Sequence, residues 1–124
     1  MRIISGKFKT RLIKTPSNDS IRPTSDRARE MIFNTLNSLL IKDKKKISGQ
    51  AIIDFFCGTG SLGIEALSRG AEKVTFIDSS NESLNLCRKN CQELKIIKNV
   101  KIVKLDLSLI HISEPTRLRG ISYA

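Results

Sequence analysis

The three cysteines, Cys57, Cys87 and Cys91, are an odd number without paired spacing. That argues against a disulfide scaffold and for a reducing, cytoplasmic setting. No apolar run is long enough to span a bilayer, and Met1-Arg2-Ile3-Ile4 does not open a secretory signal. The only histidine, His111, lies in an aperiodic tail, so no base stands near Cys57 in the sequence. Cys57 therefore reads as a small turn residue rather than a nucleophile. Cys87 and Cys91 share a helix face without further soft ligands, which means core packing and no metal site. Acids are scarce as well: 12 against 22 lysines and arginines, a net charge of +10.

The excess is uneven. Residues 1–48 hold twelve of the basic residues and only four acids, Asp19, Asp26, Glu30 and Asp43. A basic extension on a nearly neutral remainder suits a polyanion, most simply nucleic acid, against the plainer reading of solubility. Arg2–Ile13 reads as a small hairpin turning near Gly6, with too few apolar residues to stand alone. Lys7, Lys9 and Arg11 surround Phe8, which reads as the hairpin's anchor. Residues 15–21 form a loop. A helix then starts at Thr24 or Ser25, with Ala28, Met31/Ile32, Thr35/Leu36 and Leu39/Leu40 as its buried stripe. Lys42–Lys46 reads as a solvated linker.

At 124 residues and 40% hydrophobic content, the chain is long enough for one core. From Gln50 the pattern alternates. Strands are expected at 51–55, 73–77 and 100–104, and helices at 61–69, closed by Gly70, and from Ser80 or Asn81 to about Leu94. The first strand is almost wholly apolar, as in parallel sheets buried on both faces. This βαβαβ order is half of a doubly wound α/β sheet.

The run Asp54-Phe55-Phe56-Cys57-Gly58-Thr59-Gly60-Ser61-Leu62-Gly63 follows the first strand. Gly58 and Gly60 permit a turn with positive φ and let a ligand approach the backbone. Ser61 is placed to cap the next helix, whose N-terminal amides favour anionic or polar oxygens. Gly58, Gly60 and Gly63 also satisfy the dinucleotide pattern, and Asp78 falls twenty positions past Gly58. The glycines alone leave a nicotinamide enzyme open. Asp54 weighs the other way: a carboxylate before the turn repels a pyrophosphate and attracts the sulfonium and ammonium of S-adenosylmethionine. Asp54, Asp78 and Asp106 all fall at strand carboxyl ends, where such sheets bind ligands. They suit the methionine, the ribose hydroxyls and the adenine amino group respectively.

Met1-Arg2-Ile3-Ile4-Ser5-Gly6, Arg22-Pro23-Thr24-Ser25-Asp26-Arg27-Ala28-Arg29-Glu30 with Phe33-Asn34, and the Asp54–Gly60 motif running into Gly63-Ile64-Glu65-Ala66-Leu67-Ser68-Arg69-Gly70-Ala71 resemble the ribosomal small-subunit methyltransferase D family over residues 1 to about 106. The resemblance implies a Rossmann-like class I methyltransferase fold, truncated to its first three strands, with a hairpin-plus-helix extension. It implies S-adenosylmethionine as cofactor, bound by Asp54, Phe55, Gly58, Thr59, Gly60, Asp78 and Asp106. The substrate it implies is a guanine N2 of 16S ribosomal RNA, met free or in an assembling small subunit. Lys7, Lys9, Arg11, Arg22, Arg27 and Arg29 are the expected RNA contacts.

Such enzymes carry an Asp/Asn-Pro-Pro-aromatic motif after a fourth strand, to hold the amine and stack the flipped base. The only prolines here are Pro16, Pro23 and Pro115. The expected organisation is thus a basic extension (1–48), a cofactor half-domain (49–110) and an irregular, foreign-looking tail (111–124), with no catalytic residue and an open edge at 51–55. A fragment of a nicotinamide oxidoreductase and a non-enzymatic RNA-binding module remain the alternatives.

Overall fold

The computed structural model describes residues 1–16, 25–55, 57–106 and 120–123. Its elements are α1 (Asp26–Lys42), β1 (Ala51–Phe55), α2 (Ser61–Ser68), β2 (Lys73–Asp78), α3 (Asn81–Glu93), a short 3-10 turn (Ile97–Asn99), β3 (Val100–Lys104) and β4 (Gly120–Tyr123). The four strands form one sheet in the order β3-β2-β1-β4. β1, β2 and β3 run parallel, with Ile52 opposite Val74 and Phe76 opposite Ile102. This is the expected α/β half-sheet. Arg22, Pro23 and Thr24, Phe56 and His111 lie outside the described residues.

The free edge expected at β1 is not there. β4 pairs with it antiparallel, Ile53 opposite Ser122 and Asp54 opposite Ile121. The tail expected to be irregular thus supplies a strand, since a strand edge with unmet amides and carbonyls takes whatever extended backbone reaches it. Burial within β1 alternates: Ile52 and Asp54 are buried, while Ile53 and Phe55 are half-buried. Burial on both faces is therefore met fully on one face only.

α1 begins where expected, with Ser25 Oγ accepting from Ala28 N at 3.2 Å. Its buried face keeps Leu36 and Leu40 of the expected stripe, with Ile32 packed on the core, and adds Arg29 and Phe33. Arg29, Phe33, Leu36 and Leu40 point inward, while Met31, Thr35 and Leu39 are exposed. Arg29 widens the stripe through its ion pair with Glu65, and Phe33 lies one turn on from it on the same side. α2 starts on Gly60, not on a Ser61 cap: Gly60 has φ 86°, and its carbonyl accepts from Ile64 N at 2.9 Å. Ser61 is already helical, and the cap residue Gly60 has no side chain to offer. Beyond α2, Gly70 takes φ 113° and Ala71 N reaches back to Ala66 O at 3.0 Å, a Schellman-like close. α3 is capped by Ser80 and buries Leu84, Cys87 and Cys91, with Leu94 just past its end.

The N-terminal arm is less regular than a hairpin. One antiparallel bridge, Arg2 with Leu12, is supported by Thr10 N to Ile3 O at 2.8 Å and Ile13 N to Met1 O at 2.8 Å. It leans on α2. Ile4 N and Ser5 N donate to the two carboxylate oxygens of Glu65 at 2.9 and 3.1 Å, and Lys7 N donates to Ser68 O at 2.9 Å. Ile3 and Ile13 join Phe33, Ile52, Leu62 and Phe76 in one core, so the charge boundary near residue 48 divides the sequence but not the packing.

Candidate functional site

The carboxyl end of the parallel sheet carries the glycine turn. Asp54 closes the buried face of β1 at 1% exposure, and its Oδ2 accepts from Gly63 N at 3.0 Å, in the first turn of α2. A carboxylate there meets both an amide and the positive helix end. Asp54 thus fastens the turn from inside rather than lying open on its surface. Gly58 has φ 54°, and its N–H donates to Asp78 Oδ2 at 3.1 Å. Asp78 Oδ1 accepts from Ser80 N at 3.0 Å, and its carbonyl accepts from Leu105 N at 3.1 Å. One half-buried carboxylate therefore laces the glycine turn to the start of α3, with β3's end attached behind it. Asp106 follows Leu105, exposed, at the same sheet edge.

The glycines are required here by space. A Cβ on Gly60 would stand 2.7 Å from Cys87 Sγ, and one on Gly63 would stand 2.7 Å from both Phe76 Cζ and Val74 Cγ1. Gly63 thus permits close packing of α2 on β2. Between Gly58 and Gly60, Thr59 is buried, and its carbonyl accepts from Asn90 Nδ2 at 3.0 Å. Thr59 Oγ1 has no hydrogen-bond partner among the described residues. Phe55, opposite Ile77, is half-buried at the strand end.

Of the expected RNA contacts, Lys7, Lys9, Arg11 and Arg27 are exposed and Arg22 lies outside the described residues. Arg29 must be removed from that set. It is 0% exposed, with Nη1 3.3 Å from Glu65 Oε1, Nη2 2.8 Å from Arg2 O and a further ion pair to Asp26. Its neighbourhood in the motif, among charged residues, suggests a solvent-facing side chain; a buried acid on α2 decides otherwise. Phe8 packs on the core, as an anchor should, with Lys7 Nζ 5.3 Å from its ring centroid. Lys42–Lys46 are exposed, as a solvated linker requires.

Two residues that organise the site were missed in the sequence. Glu65 accepts from Ile4 N, Ser5 N, Arg29 and Arg69. Asn90 joins the turn to the arm. The available signal was a charged or amide side chain amid an otherwise apolar helix face. The three cysteines are buried together; hydrogen bonds to Cys57 and then Cys91, followed by burial, push the Cys87 thiol well above its ordinary value. Among the described residues no group of three or more His, Cys, Asp or Glu side chains could hold a metal ion, and no helix is long and apolar enough to cross a membrane.

A parallel β-α-β-α-β sheet with a glycine turn after its first strand, and an acid after its second, defines a Rossmann-like nucleotide-cofactor fold. The family model described as conserved hypothetical protein 95 matches residues 1–117. The chain belongs to that family, the one in which the ribosomal small-subunit methyltransferases D fall. It is 36% identical over 115 residues to ribosomal RNA small subunit methyltransferase D of Haemophilus influenzae, covering 93% of this chain and 56% of that protein. To the protein of the same name from Escherichia coli K12 it is 36% identical over 95 residues, covering 77% and 44%. A solved structure of a hypothetical protein from Thermus thermophilus superimposes with a TM-score of 0.69 at 26% identity, covering 88% of this chain and 57% of that one. The chain thus spans about half the length of the curated relatives it matches.

Proposed function

We propose that this chain is the cofactor-binding half of an S-adenosylmethionine-dependent methyltransferase acting on a guanine N2 of 16S ribosomal RNA, in the cytoplasm. The observation that carries the reading is the bond from Gly58 N to Asp78 Oδ2. It sets a carboxylate with remaining acceptor capacity beside a turn that Gly58 and Gly60 enter at positive φ. The residues fit the cofactor. Asp78 is read as the partner of the ribose hydroxyls, exposed Asp106 as that of the adenine amino group, and the Gly58-Thr59-Gly60 backbone with Phe55 as the surface of close approach. Asp54 contributes its field and the rigidity of the turn. When bound, the cofactor supplies a methyl group activated on a sulfonium.

The exposed Lys7, Lys9, Arg11 and Arg27, with Arg22, are read as phosphate contacts. No Pro-Pro-aromatic run occurs in these 124 residues, so the groups needed to hold the amine and aim N2 at the methyl carbon are read as absent from this chain, which then binds cofactor without turning over. Calorimetry with S-adenosylhomocysteine and, separately, NADH tests the cofactor. Saturable binding of the first and not the second is expected; the reverse would overturn the reading. Incubation with radiolabelled S-adenosylmethionine and small-subunit particles tests the second point, where no incorporation is expected.

A further inference from the structure

We propose that Asn90 is a positioning residue that couples the seat of the basic arm to the geometry of the glycine turn, so that RNA on the arm and an S-adenosyl ligand in the turn strengthen each other's binding. This rests on the functional reading above and adds its regulation. Asn90 lies on α3 at 2% exposure, with its side chain wholly engaged by two distant segments. Its Nδ2 donates to Thr59 O at 3.0 Å and to Lys14 O at 3.1 Å, while its Oδ1 accepts from Lys14 N at 2.8 Å. One planar amide thus fixes the middle residue of the glycine turn and both backbone groups of the residue that ends the arm.

The geometry leaves little slack. Both amide protons are used, so Lys14 cannot shift without turning the amide plane that holds Thr59. Turning it would strand the buried Thr59 carbonyl in the interior. Thr59 cannot follow freely either, because Gly58 is bonded to Asp78 and Gly60 is packed beneath Cys87 Sγ. Along α3, Lys14 Nζ meets Glu93 Oε1 at 2.7 Å, so the arm's end is held to the same helix on its exposed side. A polyanion that orders the arm therefore stiffens the turn, and a ligand that orders the turn stiffens the arm. Coupling of this kind is reciprocal, and typical coupling strengths change affinity by roughly 5- to 150-fold.

The test uses the whole chain, S-adenosylhomocysteine and transcribed 16S ribosomal RNA. In the unmodified chain, saturating RNA should lower the Kd for S-adenosylhomocysteine by roughly 5-fold or more. In Asn90→Asp, which retains the acceptor for Lys14 N and loses the Nδ2 donor to both Thr59 O and Lys14 O, RNA should leave that Kd within about 2-fold, a loss that a merely destabilised protein would not show. Hydrogen exchange on the unmodified chain needs no variant to fold. S-adenosylhomocysteine alone should slow exchange at the Lys14 amide, and RNA alone should slow it at Gly58 and Gly60. Ligand binding that leaves Lys14 unprotected, or full coupling in Asn90→Asp, would overturn the proposal. Failure of the unmodified chain to bind S-adenosylhomocysteine would instead overturn the functional reading beneath it.

Discussion

Replacing Glu65 by Gln should be strongly destabilising although it exchanges a single heavy atom. Glu65 is 0% exposed and its two oxygens serve four donors: Ile4 N and Arg29 Nη1 on Oε1, Ser5 N and Arg69 Nε on Oε2. Glutamine keeps one acceptor and turns the other into a donor facing donors. It also removes the charge that neutralises the buried Arg29 guanidinium, whose other partners among the described residues are Arg2 O and Asp26, and the Asp26 side chain is 71% exposed. Removing one member of a buried pair costs about 3–5 kcal/mol, most of it the uncompensated charge. Small domains are stable by about 5–15 kcal/mol, and a half-sheet belongs at the low end. Glu65→Gln should therefore lower the urea midpoint by half or more, or prevent folding. Asp26→Asn provides the contrast, because an exposed partner is worth at most about 1 kcal/mol. Equilibrium urea unfolding followed by circular dichroism measures both. A loss below about 1 kcal/mol for Glu65→Gln would refute the view that this carboxylate holds the arm, α1 and α2 together.

Asp78→Ala should weaken S-adenosylhomocysteine binding by about 1.5–3 kcal/mol, with some of the loss arising from the freed Gly58 and Ser80 amides; unchanged calorimetric affinity would end its assignment. Gly63→Ala places a methyl against the Phe76 ring and Val74 and should cost about 1–3 kcal/mol in thermal or urea unfolding, with an unchanged midpoint counting against the packing. The raised Cys87 thiol binds its proton more tightly folded than unfolded, so its contribution is complete below its ordinary value of 9.0 and stability falls as pH rises above it. Native Cys87 should accordingly resist a thiol reagent at pH 8 until urea unfolds the chain, as peptide mass spectrometry of the labelled site would show. Lys7, Lys9 and Arg11 changed together to Ala should reduce the salt slope of RNA binding by about 0.7–0.9 for each phosphate no longer neutralised, and an unaltered slope would mean these residues only solubilise.

The strands and the helices after Gln50 were legible because each carries a period and a terminator: apolar runs ending in Asp54 and Asp78, a serine cap at Ser80, a glycine close at Gly70. The glycine turn was legible for the same reason. What escaped the sequence was pairing across distance. Arg29 and Glu65 are 36 positions apart, and no local pattern announces that one neutralises the other inside the core. Periodicity therefore finds Leu36 and Leu40 but leaves out Arg29 and, one turn on, Phe33. Asn90 escaped likewise, since its partners Thr59 and Lys14 lie 31 and 76 positions away. The cap expected at Ser61 sits one position earlier, because Gly60 in a left-handed conformation already closes the turn that a serine cap would have closed.

A buried ion pair is a costly way to join an arm to a core, and two well-packed apolar side chains of similar volume often serve as well or better. That substitution is closed to this fold. Glu65 accepts the backbone amides of Ile4 and Ser5 as well as two guanidinium groups, and no apolar residue can take those two protons. With the amides left unmet in the interior, the arm would be favoured in water rather than on α2. The carboxylate is thus fixed by the backbone, and Arg29 and Arg69 follow as its neutralising partners, Arg69 also lying with Cζ 4.5 Å from the Phe33 ring centroid. The same logic governs the other end of the arm, where Lys14 offers one donor and one acceptor and only an amide side chain such as Asn90 can answer both while still reaching Thr59. Backbone groups that the arm does not satisfy within its bridge are satisfied by three polar side chains of α2 and α3, Glu65, Ser68 and Asn90, and those residues set where the basic surface sits relative to the turn.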